Sequence, residues 1–337
     1  MNNLLDPAIL FFLFGVFAGA VKSNLEIPQP ISRFLSLYLL MALGLKGGFA
    51  LAASGFTLEV VRSLGLAVTL AILVPLIGYA VLRRWLNGLD AAAVAATYGS
   101  VSAVTFITAV QTLDHQGLPY GGHMAAAMAL MESPAIIMAV VLANALRQRA
   151  GAGMGVVANG SSAVLTAPGH SGSGFSLGKV LHESFTDGAQ LLLLGAMVVG
   201  FVTGESGQSA MKPFTGDLFK GMLAFFLLDM GLLAARNLPK VRGQSPWLIA
   251  YGIVGPLVHA GLALGLALLL GISAGDTALL MVLAASASYI AVPAVLRHAI
   301  PEANPSLYFG LSLGITFPLN ILFGIPLYIG IAHAVLG

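Results

Sequence analysis

Ten stretches of this chain run almost free of charge between boundaries marked by basic residues, proline or glycine: residues 8 to 22, 31 to 53, 60 to 82, 91 to 113, 122 to 146, 184 to 203, 216 to 235, 246 to 271, 277 to 297 and 306 to 335. A helix needs ~20 apolar residues to cross the hydrocarbon of a bilayer, and a backbone immersed there must satisfy its own hydrogen bonds. Runs of this length therefore predict spanning helices. Composition points the same way, because 58% of the 337 residues are hydrophobic and 8% charged, whereas a soluble domain carries ~25% charged residues. The 41 glycines suit helices packed through small residues and not the alternating strands of a barrel. The expected fold class is all-α integral membrane, with about ten transmembrane helices. The absence of cysteine excludes disulfides, thiolate catalysis and cysteine metal sites.

Basic residues set the expected orientation. If the N-terminus is outside, the inner connections collect Lys22, Arg33, Arg83, Arg84, Arg147, Arg149, Lys179, Arg236, Lys240, Arg242 and Arg297, eleven of the fifteen basic residues. Both termini are then expected outside a bacterial-type inner (plasma) membrane. The first apolar run follows Asp6 and precedes Lys22, the reverse of a signal peptide's charge order, and reads as a retained span. A Gly/Ser-rich tract over residues 150–178 reads as a cytoplasmic linker between a first five-helix unit, 1–149, and a second, 179–337.

The two units resemble each other in order. Leu40, Gly44, Leu45, Gly47 and Gly48 recur as Leu227, Gly231, Leu232, Ala234 and Ala235, a shift of 187. Ser100-Val101-Ser102 recurs as Ser286-Ala287-Ser288, a shift of 186, Pro75 as Pro256, and Glu132-Ser133-Pro134 as Thr316-Phe317-Pro318. An odd number of spans per unit makes the second enter the membrane upside down, so the expectation is a 5+5 inverted repeat. That architecture serves secondary transporters, with the site at the midplane where interrupted helices meet.

Spans 4 and 9 crowd Ser, Thr, Gly and Pro into mid-membrane and are the expected interruptions. A broken helix frees backbone groups that protein or a ligand must satisfy, and each half-helix N-terminus favours an anion. The expected substrate and ion ligands are Gly99, Ser100, Ser102, Thr105, Ser286, Ser288 and Tyr289. Hydroxyls there suit an oxyanion or a hard cation such as sodium. Glu132 and Asp229, carboxylates well inside spans 5 and 7, are the expected ion-coupling groups. His259 reads as a packing residue, and Lys46 and Lys220 as snorkelling side chains. The seven histidines show no metal-ligand spacing, so no catalytic residue, cofactor or resident metal is expected beyond sodium as a coupling ion.

At these residues the chain resembles the sodium-dependent bicarbonate transporter family. The likeness lies in Gly44-Leu45-Lys46-Gly47-Gly48, Gly99-Ser100-Val101-Ser102, Met131-Glu132-Ser133-Pro134 and Val254-Gly255-Pro256-Leu257-Val258-His259. It is densest at Ala299-Ile300-Pro301-Glu302-Ala303-Asn304-Pro305-Ser306. The resemblance implies a gate part and a substrate-carrying core part, a homotrimer, sodium-driven symport of bicarbonate, and a PII-like regulatory protein on the cytoplasmic face. The chain departs from the family where an acidic residue and a Ser-Gly pair are replaced by Tyr289 and Ala291-Val292. That loss of polar ligands favours a larger or less polar carboxylate coupled to protons as one alternative; a membrane enzyme and a solute receptor that does not cycle are the others.

Overall fold

The computed structural model describes residues 6–152, 188–241 and 243–337, and every regular element among them is helical. In chain order these are α1 (Pro7–Ala20), α2 (Gln29–Ser54), α3 (Leu58–Leu82), α4 (Gly88–Gly99), α5 (Ala103–Gln116), α6 (Met124–Ala152), α7 (Gly188–Lys212), α8 (Leu218–Asn237), α9 (Pro246–Leu270), α10 (Ala274–Ala285) and α11 (Ala291–Ala299). The last, α12 (Pro305–Leu336), contains two wider π stretches, Ser312–Thr316 and Asn320–Gly324. Among the described residues, six helical segments are long and apolar enough to cross a membrane, namely α2, α3, Gly88–Gln116, Gly188–Asn237, α9 and α12, with α1 and α10 apolar but shorter. Arrayed over one chain, such segments make this an integral membrane protein.

Local chemistry sets the helix starts. Asp6 caps α1 by accepting the Ala8 amide at 2.8 Å, with Pro7 in the first turn; Asn87 caps α4 at the Asp90 amide, 2.9 Å. Asn304 caps α12 at the Ser306 amide, 3.0 Å, while donating its own amide to Asp90 at 2.7 Å. Each cap satisfies an amide that the helix cannot. The turn that carries the densest family likeness is thus a tie between α4 and α12.

Two boundaries differ from expectation. Residues 204 to 215, expected as a connection, are helical almost throughout: Gly204 breaks the line at φ 53°, ψ −137°, but Glu205, Gln208, Ala210, Met211 and Lys212 are good helix formers, and a π turn at Pro213–Asp217 leads into α8. Helix α6 runs on to Ala152, into the segment expected as linker. From residue 153 that segment, with Lys179, lies outside the described residues, as does Arg242.

The helices pack as two groups. In one, α1 lies along α8 and α2 along α7; in the other, α3, α4, α5, α6, α9, α10, α11 and α12 pack among themselves. In the first group the backbones nearly touch at small residues. A Cβ on Gly15 would lie 2.3 Å from the Leu228 carbonyl oxygen and 3.1 Å from the Gly231 Cα, and one on Gly19 2.7 Å from the Ala235 Cβ. Likewise a Cβ on Gly44 would lie 2.3 Å from the Leu193 carbonyl oxygen, and one on Gly200 3.1 Å from the Gly48 Cα.

At one end of the second group, Arg147 of α6 donates to both oxygens of Glu302, at 3.0 and 2.7 Å, and to the Ala299 carbonyl at 3.0 Å. These bonds hold the Glu302 carboxyl below its ordinary pKa. A depressed carboxylate contributes stability above its unfolded pKa and loses it as pH falls through the lower folded value. Acidification below the ordinary carboxylate range is therefore expected to lower the unfolding midpoint of the native chain more than that of Glu302→Gln. Because the pair is exposed, the difference amounts to under about 1 kcal/mol. Thermal melts in detergent across that range check it.

Candidate functional site

Helix α4 ends at Gly99 because the backbone turns extended at Ser100 (φ −96°, ψ 179°), and α5 begins after Ser102. Helix α10 ends in the same way at Ser286 (φ −83°, ψ 166°), and α11 begins at Ala291. Both expected interruptions are present, and they meet. The Ser288 amide donates to the Thr97 carbonyl at 2.8 Å. In the opposite sense, the Ser102 amide donates to the Ser286 hydroxyl at 3.0 Å, which donates on to the Leu283 carbonyl at 2.8 Å. Each strand of the crossing thus satisfies groups that the other helix's interruption sets free.

Small side chains shape the crossing. A Cβ on Gly99 would sit 2.5 Å from the Pro75 ring of α3, so only glycine lets α4 end against that ring. Ser102 caps α5, its hydroxyl accepting the Thr105 amide at 3.2 Å and hydroxyl at 2.9 Å. Ser288 accepts the Val292 amide at 3.3 Å in the first turn of α11. The amides of Ala103 and Val104 lack an intrahelical partner by helix geometry. Ser100 is buried at 1% exposure, and its hydroxyl has no hydrogen-bond partner among the described residues. A buried, unpartnered hydroxyl beside a helix end calls for a ligand or water.

Tyr289 closes one wall. Its hydroxyl lies within hydrogen-bonding reach of Ser102 and 3.6 Å from the Met230 sulfur of α8, and its ring meets Phe317 edge-on at 5.2 Å. Asp229, beside Met230, is buried, accepts a hydrogen bond from Ser32 and acts electrostatically on Tyr289. Among the expected residues, then, Gly99, Ser100, Ser102, Thr105, Ser286, Ser288 and Tyr289 gather at the crossing, with Asp229 bordering it. Glu132 is engaged elsewhere, where Gln190 of α7 donates to it at 2.5 Å between the two helix groups.

Several participants lie outside the expected ligand set. Asn320 donates to the Ala285 carbonyl at 2.8 Å and His259 to that of Ala284, so side chains hold the carbonyl end of α10. Behind the crossing, Tyr98 pairs with Thr316 at 2.6 Å, Thr316 donates to the Gly252 carbonyl at 2.8 Å, and Tyr251 packs edge-on to Tyr98. Asp276 in the first turn of α10 is 1% exposed and accepts the Gly121 amide at 2.6 Å, beside His123 at 3.0 Å. A shift of 186 from Asp90 would have marked Asp276.

Among the described residues no cluster of His, Asp and Glu has the makings of a metal centre. A search among curated proteins finds no match. The model of the Na+-dependent bicarbonate transporter superfamily matches residues 7–333, and the chain therefore belongs to that superfamily, as a membrane transporter and not an enzyme.

Proposed function

We propose that the chain is a sodium-coupled symporter that takes up a small anion, bicarbonate first, at the crossing of the α4–α5 and α10–α11 interruptions. The observation that carries this is the meeting of the two interruptions around the buried Ser100 hydroxyl, which has no partner among the described residues. The first-turn amides of α5 and α11 offer donors and positive partial charge to an oxyanion, supplemented by the hydroxyls of Ser102, Thr105, Ser286, Ser288 and Tyr289. Ser100 and the carbonyl end of α4 fit a hard cation, which takes oxygen ligands. Sodium, when bound, supplies the energy of its gradient.

In this reading ten spans form two inverted five-helix units, 1–149 and 179–337, on either side of the linker. The pairing of Gly15 with Gly231 and of Gly44 with the Leu193–Ala196 turn supports it, since a shift of 187 carries Gly44 to Gly231. So does Asp90 at Asn304 beside Asp276 at Gly121, shifts of 186 and 183. The group of α1, α2, α7 and α8 acts as gate and the other group as core. Both termini lie outside an inner membrane, three copies assemble, and a PII-like protein docks on the cytoplasmic face. Asp229 and Glu132 serve as coupling carboxylates.

Purified protein in liposomes is expected to accumulate labelled bicarbonate only under an inward sodium gradient. Equal uptake with choline in place of sodium would reject sodium coupling. A second reading, a less polar carboxylate driven by protons through Asp229, is favoured by the aromatic and thioether wall of Tyr289, Phe317 and Met230. Uptake of such a solute that follows an imposed pH gradient, with bicarbonate inert, would select it.

A further inference from the structure

Away from the crossing, a cavity of about 320 Å³ opens between the two helix groups. Leu43, Lys46 and Gly47 of α2 line one side, and Val110, Asp114 and Tyr120 of α5 and the following turn line the other. The Lys46 ammonium bridges it, 2.9 Å from Asp114, with side chains 26% and 33% exposed. Each partner also has a second tie. The ammonium sits 4.7 Å above the Phe219 ring of α8, a cation–π contact. The other Asp114 oxygen accepts the Tyr120 hydroxyl at 2.9 Å. Burial and Asp114 itself hold that phenol far above its usual pKa, so it stays a neutral donor. Separating the ion pair therefore leaves neither charge without a partner, and exposed pairs of this kind are worth only about 0–1 kcal/mol. A lysine ammonium is also a compact point charge able to swap one oxygen ligand for another.

We propose that this cavity is a loading site for the transported anion, in which Lys46 exchanges the Asp114 carboxylate for a small monoanion with carboxylate-like oxygens. Asp114 falls back on Tyr120 while Lys46 holds the solute over Phe219. The proposal rests on the anion-transport reading, whose topology puts this cavity on the outer side.

Asp114 is then a competitor for Lys46, so substitutions at the two positions act in opposite directions. Sodium-driven bicarbonate uptake by proteoliposomes is expected to show KM raised about fivefold in Lys46→Gln, the size of one partly screened charge contact, and lowered in Asp114→Asn. A merely structural ion pair predicts that both variants shift KM the same way or leave it unmoved, and either result overturns the exchange. The cysteine-free chain allows a second measurement. Labelling of Ala50→Cys, which lines the cavity, is expected to slow as bicarbonate rises, and the concentration giving half protection is expected to rise about fivefold when Lys46→Gln is added. Unprotected labelling despite normal uptake overturns the loading site alone. Absence of saturable uptake in the unsubstituted protein overturns the transport reading and the loading site with it.

Discussion

Ser100→Ala is expected to leave thermal stability in detergent unchanged within about 0.5 kcal/mol while abolishing stabilisation by bicarbonate and sodium and cutting uptake at least about tenfold, a loss of ~1.4 kcal/mol in binding. The Ser100 hydroxyl is buried yet bonds to no described residue, so its removal strands nothing within the protein. Ser286→Ala is the contrasting case. Its hydroxyl stands between the Ser102 amide and the Leu283 carbonyl, and without it the amide is left buried and unpaired. That costs about 1–3 kcal/mol in the absence of any ligand, along with uptake. Melting curves with and without solute separate the two effects, because a ligand that binds only the native state raises its apparent stability by mass action. If Ser100→Ala destabilised the ligand-free protein as strongly as Ser286→Ala, Ser100 would be an interior packing residue and the proposed site would fail.

The other large effect concerns stability alone. Gly48→Ala and Gly231→Ala are each expected to lower stability by about 2–3 kcal/mol or more, because the added carbon meets backbone and not a side chain that can swing aside. At Gly48 it would fall 2.1 Å from the Met197 oxygen and 2.6 Å from the Phe201 nitrogen; at Gly231, 2.2 Å from the Phe12 oxygen. Relief requires prising α2 from α7 or α1 from α8. Gly221→Ala in the same helix as Gly231 meets nothing within 4 Å, and alanine there is expected to stabilise by about 0.5–1 kcal/mol through its helix propensity. A thermal ranking in which all three behave alike would contradict the close packing.

Much of the architecture was legible in the residues. Runs without charge marked the helices because lipid leaves a backbone few other options, and Ser-x-Ser flanked by Gly or Pro marked both interruptions. Reading Glu132 and Asp229 together as ion-coupling carboxylates did not resolve their separate surroundings: Asp229 borders Tyr289 through Met230, whereas Glu132 bonds to Gln190 across the boundary between helix groups. Span assignment records depth along a helix but not the direction it faces, and that direction decides what a buried carboxylate meets. The same gap hid Asn320 and the partner of His259, since their bonds to α10 join residues distant in sequence. Helical continuity past Gly204 was missed for another reason, since polar residues resemble a loop on a hydropathy reading while favouring helix by propensity.

The side-chain hold of His259 and Asn320 on the carbonyl end of α10 carries a mechanical consequence. Both residues belong to helices that pack with α10, so if that whole block slides past α1, α2, α7 and α8, those two tethers ride along unbroken. The resistance to such a stroke then falls on the sliding surface itself, on contacts such as Gln190 to Glu132, where altering Gln190 is expected to retune the speed of the cycle without loosening the cargo's cradle.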